Sequence, residues 1–403
     1  MSIFTKPTTE ISYQDVVSFC EQGIGEGVNL DYKKDFPPSG LEKTISSFAN
    51  TFGGVILIGV EDEDSKPKPP FVGIEYKDKL EERVWNIIVD NIYPPMFPEI
   101  RVCPPQNNKT FVIIRVPQSN ETPHAIYNNT QVYVRTGNRN KPEDLATLEQ
   151  IEWLRNRRKK SEELREMLYL RAEERYCNIC EQKKVKIEFG EFTLSFAPLY
   201  PRKPLFKVEE IKNILQRMAV RIGNREFPWL PSGHLEPVQD GVVSFFLDER
   251  NGLITHTEIN KFGLIYYKED MGWGEKKTSG AEDEIKFYPI AVIEDLEMSF
   301  EAVAKVYNLV GYWGLVEVRF SLFQLLGIHI IPILPKNSPF RHGKKINEIE
   351  KQLSWQTIIP VSELNDPVAR ERKVLELGKD VAWSFGFEMT EGLIKQALKE
   401  QGR

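Results

Sequence analysis

Leu41–Val60 reads LEKTISSFANTFGGVILIGV, and its two halves follow different periods. Leu41, Ile45, Phe48 and Ala49 recur at helical spacing, which predicts a helix with one apolar face. Gly53-Gly54 follows and ends it, because glycine tolerates the left-handed conformation that closes a helix. Either glycine could also let the backbone approach a phosphate. Val55-Ile56-Leu57-Ile58-Gly59-Val60 is a continuous apolar run, the pattern of a strand buried on both faces.

Outward from this nucleus the pattern stays mixed. Ser12 is placed to cap a short helix through Val16, Val17, Phe19 and Cys20. Asn29-Leu30-Asp31-Tyr32-Lys33 alternates like a half-buried strand, and Pro37-Pro38-Ser39-Gly40 then breaks the chain. Downstream come an acidic turn, Glu61-Asp62-Glu63-Asp64, and a proline-rich loop from Lys66 to Pro70. A helix is predicted over Lys79–Asn91, and strands over Glu99–Val102, Thr110–Val116 and Gln131–Arg135. Helices and strands do not alternate strictly, so the fold class is α+β with a mixed sheet, not a doubly wound one.

From Leu145 to about Arg175 the pattern is helical and heavily charged, and it includes Arg155-Asn156-Arg157-Arg158-Lys159-Lys160. That run is either a solvated helix face or a phosphate-contacting stripe. A second α+β region follows. Strand patterns fall at Val185–Phe196, Val242–Leu247, Leu264–Tyr267, Ile285–Pro289, Val316–Phe320 and Ile328–Leu334, and helical ones at Val208–Met218, Ile293–Leu309 and Pro367–Phe385. The expected organisation is a first domain over 1–145, a charged helical linker over 146–180 and a C-terminal domain over 181–403. The 403 residues exceed what one ordinary core accommodates.

Composition narrows the function classes. Apolar residues make up 41% and charged ones 28%, as in soluble globular proteins. No apolar run reaches membrane-spanning length and no secretory leader pattern follows Met1, so a cytoplasmic protein without a membrane partner is expected. The formal charge of -6 does not advertise nucleic acid, but phosphate is bound by local basic surface, not by the sum. Cys20, Cys103, Cys177 and Cys180 are too few for a disulfide scaffold, and Cys177-Asn178-Ile179-Cys180 has no second pair or nearby His to complete a zinc site. The five histidines lack zinc-hydrolase spacing, and His124 beside Pro123 reads as structural. No Gly-Lys-Ser/Thr follows Gly53-Gly54, so nucleotide hydrolysis is not expected. Trp229, Trp273, Trp313, Trp355 and Trp383 crowd the C-terminal half, as core or as the lining of a pocket for a ligand or protein partner.

Leu41–Val60 resembles the core signature of the Schlafen/AlbA-type domain family: a helix ending Phe-Ala-Asn-Thr, a Gly-Gly turn and a strand ending Ile-Gly-Val. Leu30-Asp31-Tyr32-Lys33, Thr122-Pro123-His124-Ala125 and Val132-Tyr133-Val134-Arg135-Thr136-Gly137 are similar to its flanking motifs, in order, over about residues 12–140. Some members are metal-dependent endoribonucleases that cut tRNA or rRNA with three carboxylates. The resemblance places these at Glu26, Asp31 and Asp62, with Asp31 standing where Glu is usual. It implies that the three hold Mg²⁺ or Mn²⁺ and that Lys33 offsets charge developing on phosphate, making them the catalytic set with Lys33. Nucleic-acid contacts are expected from Lys34, Asn50, Arg135, Arg139, Lys141, Arg157 and Arg158, with Arg135 alternatively paired to a carboxylate. The implied function is a prokaryotic Schlafen-type endoribonuclease acting on tRNA or other structured RNA, in antiphage defence by analogy. Its C-terminal domain would then be a regulator or sensor, and the chain could form a homo-oligomer. The alternative is a non-catalytic DNA-binding regulator, against which three carboxylates facing phosphate would weigh.

Overall fold

The computed structural model describes residues 3, 6, 8–127, 130–138, 141–185, 190–201, 204–222, 225–230, 235–248, 253–270, 286–312, 314–331, 345–346 and 348–402. The chain forms two compact units, Met1–Ser161 and Glu162–Arg403.

Unit 1 begins with helix α1 (Tyr13–Cys20), whose first turn is closed by a capping box between Ser12 and Asp15. Strand β1 (Leu30–Lys33), helix α2 (Leu41–Asn50) and strand β2 (Gly54–Ile58) follow. Then come a hairpin of β3 (Asp62–Glu63) and β4 (Lys66–Pro67), helix α3 (Leu80–Asn91), and strands β5 (Glu99–Val102) and β6 (Val112–Val116). The first sheet has the order β1-β2-β6-β5. β1 and β2 run parallel, with Asp31 opposite Ile56 and Lys33 opposite Ile58, and the other pairs are antiparallel.

Both faces of this sheet are covered, which is why β2 is apolar at every position. Ile56 and Ile58 pack with Leu41, Ile45 and Phe48 of α2 and Val84 of α3. Val55, Leu57 and Val60 pack on the other side with Val16 and Phe19 of α1. Burial of these side chains contributes about 1.5–3 kcal/mol each. Gly53 has φ +76°, and a Cβ there would meet the backbone nitrogen of Gln118 at 2.7 Å; one on Gly54 would strike the Phe48 ring at 2.6 Å. The two glycines therefore serve close packing between helix and strand. A second sheet joins β7 (Ala125–Ile126), β8 (Gln131–Asn138) and β9 (Lys141–Leu145) to Ile92–Tyr93.

Helix α4 spans Leu148–Gln182, and the boundary between the two units falls inside it. Unit 2 carries a seven-stranded antiparallel sheet. Its strands in chain order are β10 (Glu191–Pro198), β11 (Glu236–Val238), β12 (Gly241–Asp248), β13 (Leu253–Asn260), β14 (Ile265–Asp270), β15 (Leu315–Phe323) and β16 (Gln352–Pro360). One face holds the main core with helices α5 (Val208–Met218), α6 (Pro289–Leu309) and α7 (Pro367–Ser384). Leu168, Tyr169, Ala172 and Tyr176 of α4 pack on Ala197, Leu264, Tyr266 and Ile254.

The predicted strand at Ile285–Pro289 is shorter than its pattern, because Pro289 opens α6 at a position where a helix needs no N–H. Within Ile328–Leu334 a short strand forms at His329–Ile330, while residues 332–334, like Trp273 and Trp313, lie outside the described residues. Trp355 stacks on Phe320 and Trp229 meets Phe246 edge-on, so both serve packing, while Trp383 is exposed. Among the described residues no helix is long and apolar enough to cross a membrane.

Candidate active site

Asp31 and Lys33 sit on alternate positions of β1, on the sheet face that meets α2. Asp31 is buried at 1% exposure, where an unpaired carboxylate would be very costly. Two cations hold it: Lys33 Nζ lies 2.6 Å from Oδ1, and Arg135 Nη1 lies 3.0 Å from Oδ2. Burial works against the charge on Lys33, but Asp31 beside it, with Glu143 and Glu26 further off, keeps its pKa above the ordinary lysine value.

Arg135, on β8, is the hub of this face. Its guanidinium donates to Glu143 Oε1 at 2.8 Å and to the carbonyls of Gly27 at 2.7 Å and Leu30 at 3.3 Å, and lies over the Phe48 ring at 4.4 Å. Of the two roles open to Arg135 in the sequence, pairing with carboxylates is the one adopted; its side chain has no exposure with which to meet phosphate. Glu143 also accepts from the Thr44 hydroxyl at 2.9 Å. Glu143 escaped the sequence reading because nothing local marks it; its register position opposite Arg135 on β9 supplies the signal.

Glu26 lies in the turn before β1. Its Oε1 accepts the Tyr32 N–H at 2.7 Å, and its own N–H donates to Ser65 O at 2.7 Å. The second bond ties the β3–β4 hairpin, and with it Asp62, to the Glu26 turn. Burial is the largest cause that pushes the Glu26 carboxyl up to about 7, and the charges of Asp31 and then Asp62 add to it against the Tyr32 N–H and Lys33. Asp62 itself is exposed on β3. Asp31 and Asp62 are thus both near enough to Glu26 to raise its carboxyl.

Hard oxygen donors of this kind suit Mg²⁺ or Mn²⁺. The arrangement does not form a ready ligand set. Among the described residues no three His, Cys, Asp or Glu side chains could hold one ion, and both Asp31 oxygens already face cations.

The remaining predicted contacts divide. Lys34 is exposed and pairs with Glu61 at 3.1 Å. Asn50 is fully buried; its amide donates to the carbonyls of His124 and Tyr133, both at 2.9 Å, and accepts from His124 N–H at 2.8 Å. It clamps α2 to the closing strands. Arg157 is also buried and donates to the Asn50 carbonyl at 3.1 Å, neutralising the carbonyl end of α2. Arg158 is half-buried and partnered. Arg139 and the side chain of Lys141 lie outside the described residues. His124 is buried with Nδ1 2.7 Å from Pro94 O, and burial lowers its pKa to about 4, which suits the structural role expected of it. All four cysteines are free thiols.

Residues 26–144 match the family model described as Schlafen, AlbA_2. No curated protein matches the chain. Among solved structures, the N-terminal domain of a RecG-related protein from Nitrosomonas europaea is 22% identical over 29% of this chain and 80% of that one, with a TM-score of 0.23. The DIP2311 protein from Corynebacterium diphtheriae is 12% identical over 96% of this chain and 89% of that one, with a TM-score of 0.25. Neither likeness is close enough to carry weight. The ordered motifs and the family match agree, and residues 26–144, with Glu26, Asp31, Lys33 and Asp62 among them, are a Schlafen/AlbA_2 domain.

Proposed function

We propose that the Schlafen/AlbA_2 domain handles nucleic acid and that its carboxylate cluster cleaves structured RNA such as tRNA, as an endoribonuclease. The observation that carries this reading is Glu26, half-buried and raised to about 7 by burial, Asp31 and Asp62. A carboxyl that titrates near neutrality exchanges protons efficiently at working pH. In this reading Glu26 takes the proton from the attacking hydroxyl as the new phosphorus–oxygen bond forms, the bond to the leaving ribose oxygen breaks, and that oxygen takes its proton from solvent. Lys33 would offset the negative charge that develops on phosphate. The expected Mg²⁺ or Mn²⁺ belongs to the same reading through its donor chemistry, although the ligands are not preassembled.

A second reading, a non-catalytic DNA-binding regulator, is favoured by the neutralisation of Asp31 by Lys33 and Arg135. One assay separates the two. The full chain is incubated with total tRNA, with and without each ion, beside Asp62→Ala and Asp31→Asn. Asp62 is on the surface, so its variant should fold; Asn keeps the shape of Asp31 but leaves Lys33 and Arg135 without that carboxylate, so Asp31→Asn is scored only after circular dichroism shows it folded. Ion-dependent cleavage that both variants lose supports the nuclease. Equal cleavage by the variants removes the assignment, and binding without cleavage under every condition favours the regulator.

A further inference from the structure

Beside the carboxylates, unit 1 has a second feature that the motifs did not indicate. An open cleft of about 280 Å³ lies where the parallel strands β1 and β2 end, lined by Lys34 just past β1, Gly59 just past β2, and Leu80 and Arg83 from α3. Clefts at the carboxyl ends of parallel strands are recurrent ligand sites, and this volume is near the lower end for small ligands, ~300–1,000 Å³. It suits one sugar-phosphate unit, with the rest of a strand leaving through the open sides.

The lining is electropositive within an acidic chain. Lys34, Lys77, Arg83 and Lys109 outnumber Asp35, Glu61 and Glu75. Lys34 is partnered by Glu61, and Lys77 only loosely by Glu75 at 3.9 Å. Arg83 and Lys109 have no ion pair among the described residues. The Arg83 guanidinium lies over the Phe36 ring at 4.8 Å, which fixes its plane and leaves its N–H edge free for a bidentate oxygen pair. Lys109 is half-buried and held in register opposite Glu75 on a short ladder. A half-buried lysine without a contacting carboxylate is a favourable partner for an external anion.

We propose that this cleft is a phosphate subsite for the nucleic-acid strand, with Arg83 and Lys109 as its phosphate-binding residues and Phe36 as the support that orients Arg83. The proposal rests on the reading that the domain handles nucleic acid, and not on cleavage. Lys34 and Asp35 of the lining directly follow Lys33, and Glu61 directly precedes Asp62, so a strand held in the subsite would be anchored beside the residues that carry the proposed chemistry.

The test is fluorescence anisotropy with a labelled RNA hairpin and the full chain in EDTA, which prevents ion-dependent cleavage, over about 50–200 mM salt. Arg83→Gln and Lys109→Gln should each weaken binding several-fold and reduce the slope of log K against log salt by about 1, and the double variant by about 2. Arg83→Lys should keep the slope and lose affinity, because charge remains while the fork is gone. Lys379→Gln, an exposed lysine of α7 in unit 2, should change neither. Circular dichroism confirms folding of each variant. Affinity and slope unchanged in the double variant overturn the subsite, and so does a chain that binds no RNA. Normal binding by the double variant with cleavage still lost in Asp62→Ala removes the subsite and leaves the nuclease; weakened binding in a chain that never cleaves does the reverse.

Discussion

Glu26 in unit 1 and Glu258 in unit 2 both carry a carboxyl raised to about 7, with burial the largest cause in each. Their surroundings differ. Glu26 sits half-buried in a turn, and its further perturbers are the carboxylates Asp31 and Asp62. Glu258 lies on β13 with no exposure, where Arg175 of α4 pairs with it and, at 2.7 Å, with Asp240. Around it Lys268 meets Glu173 at 2.7 Å, Tyr176 meets Glu191, and burial holds His256 down to about 3. The second half of α4 thus covers one face of the sheet with a layer of ion pairs whose sheet-side members, Asp240, Glu258 and Lys268, are buried. Under the proposed function the same perturbation would mark a reactive group at Glu26, whereas at Glu258 it accompanies a packed ion-pair layer.

That contrast can be broken most forcefully at Arg175. Arg175→Met leaves Glu258 buried without its cation, while Asp240 keeps Arg171 at 3.5 Å, and the chain should lose about 3 kcal/mol or more in urea unfolding. A loss below about 1 kcal/mol, the level of an exposed pair, would mean that the layer is solvated.

A second contrast compares Glu26→Gln with Glu258→Gln in tRNA cleavage. The first should slow cleavage by about 10²-fold or more, the scale of a lost general base, and the second should leave the rate per folded molecule unchanged. Equal rates in both variants would remove Glu26 from the chemistry.

The smallest effect is on stability against pH. The folded pKa of Glu26 lies above its ordinary 4.5, at about 7, so between these values the folded chain binds more protons than the unfolded one. The contribution of this group is therefore full below about pH 4.5 and declines as pH rises through 7. Glu26→Gln should gain on the wild type progressively over that interval. Buried His124 and His256, with lowered pKa values, act in the opposite sense as pH falls, which is why the difference between variant and wild type is the quantity to measure.

The sequence carried the elements near its strongest pattern well. Leu41–Val60 has unambiguous helical and strand periods on either side of two glycines, and each period corresponds to a buried face. Long-range pairing left no such trace. Arg135 meets Asp31 across 104 positions, and nothing in the sequence decided between that carboxylate and a phosphate. Asn50 and Arg157 looked like phosphate donors because both are polar and at or near helix surfaces in the pattern; their burial depends on the closing strands and on how α4 packs on the end of α2. The cleft beside Arg83 was invisible because its lining comes from separate loops and a helix end.

The central claim is that Glu26, Asp31 and Asp62 share one electrostatic field, and titration of the Glu26 carboxyl tests it most directly. With ¹³C-labelled glutamate and Glu26→Gln to assign the signal, NMR should give a midpoint near 7 in the wild type and a lower one in Asp62→Asn, where a neighbouring negative charge has been removed. A wild-type midpoint near the ordinary 4.5, or one that Asp62→Asn does not move, would contradict the shared cluster.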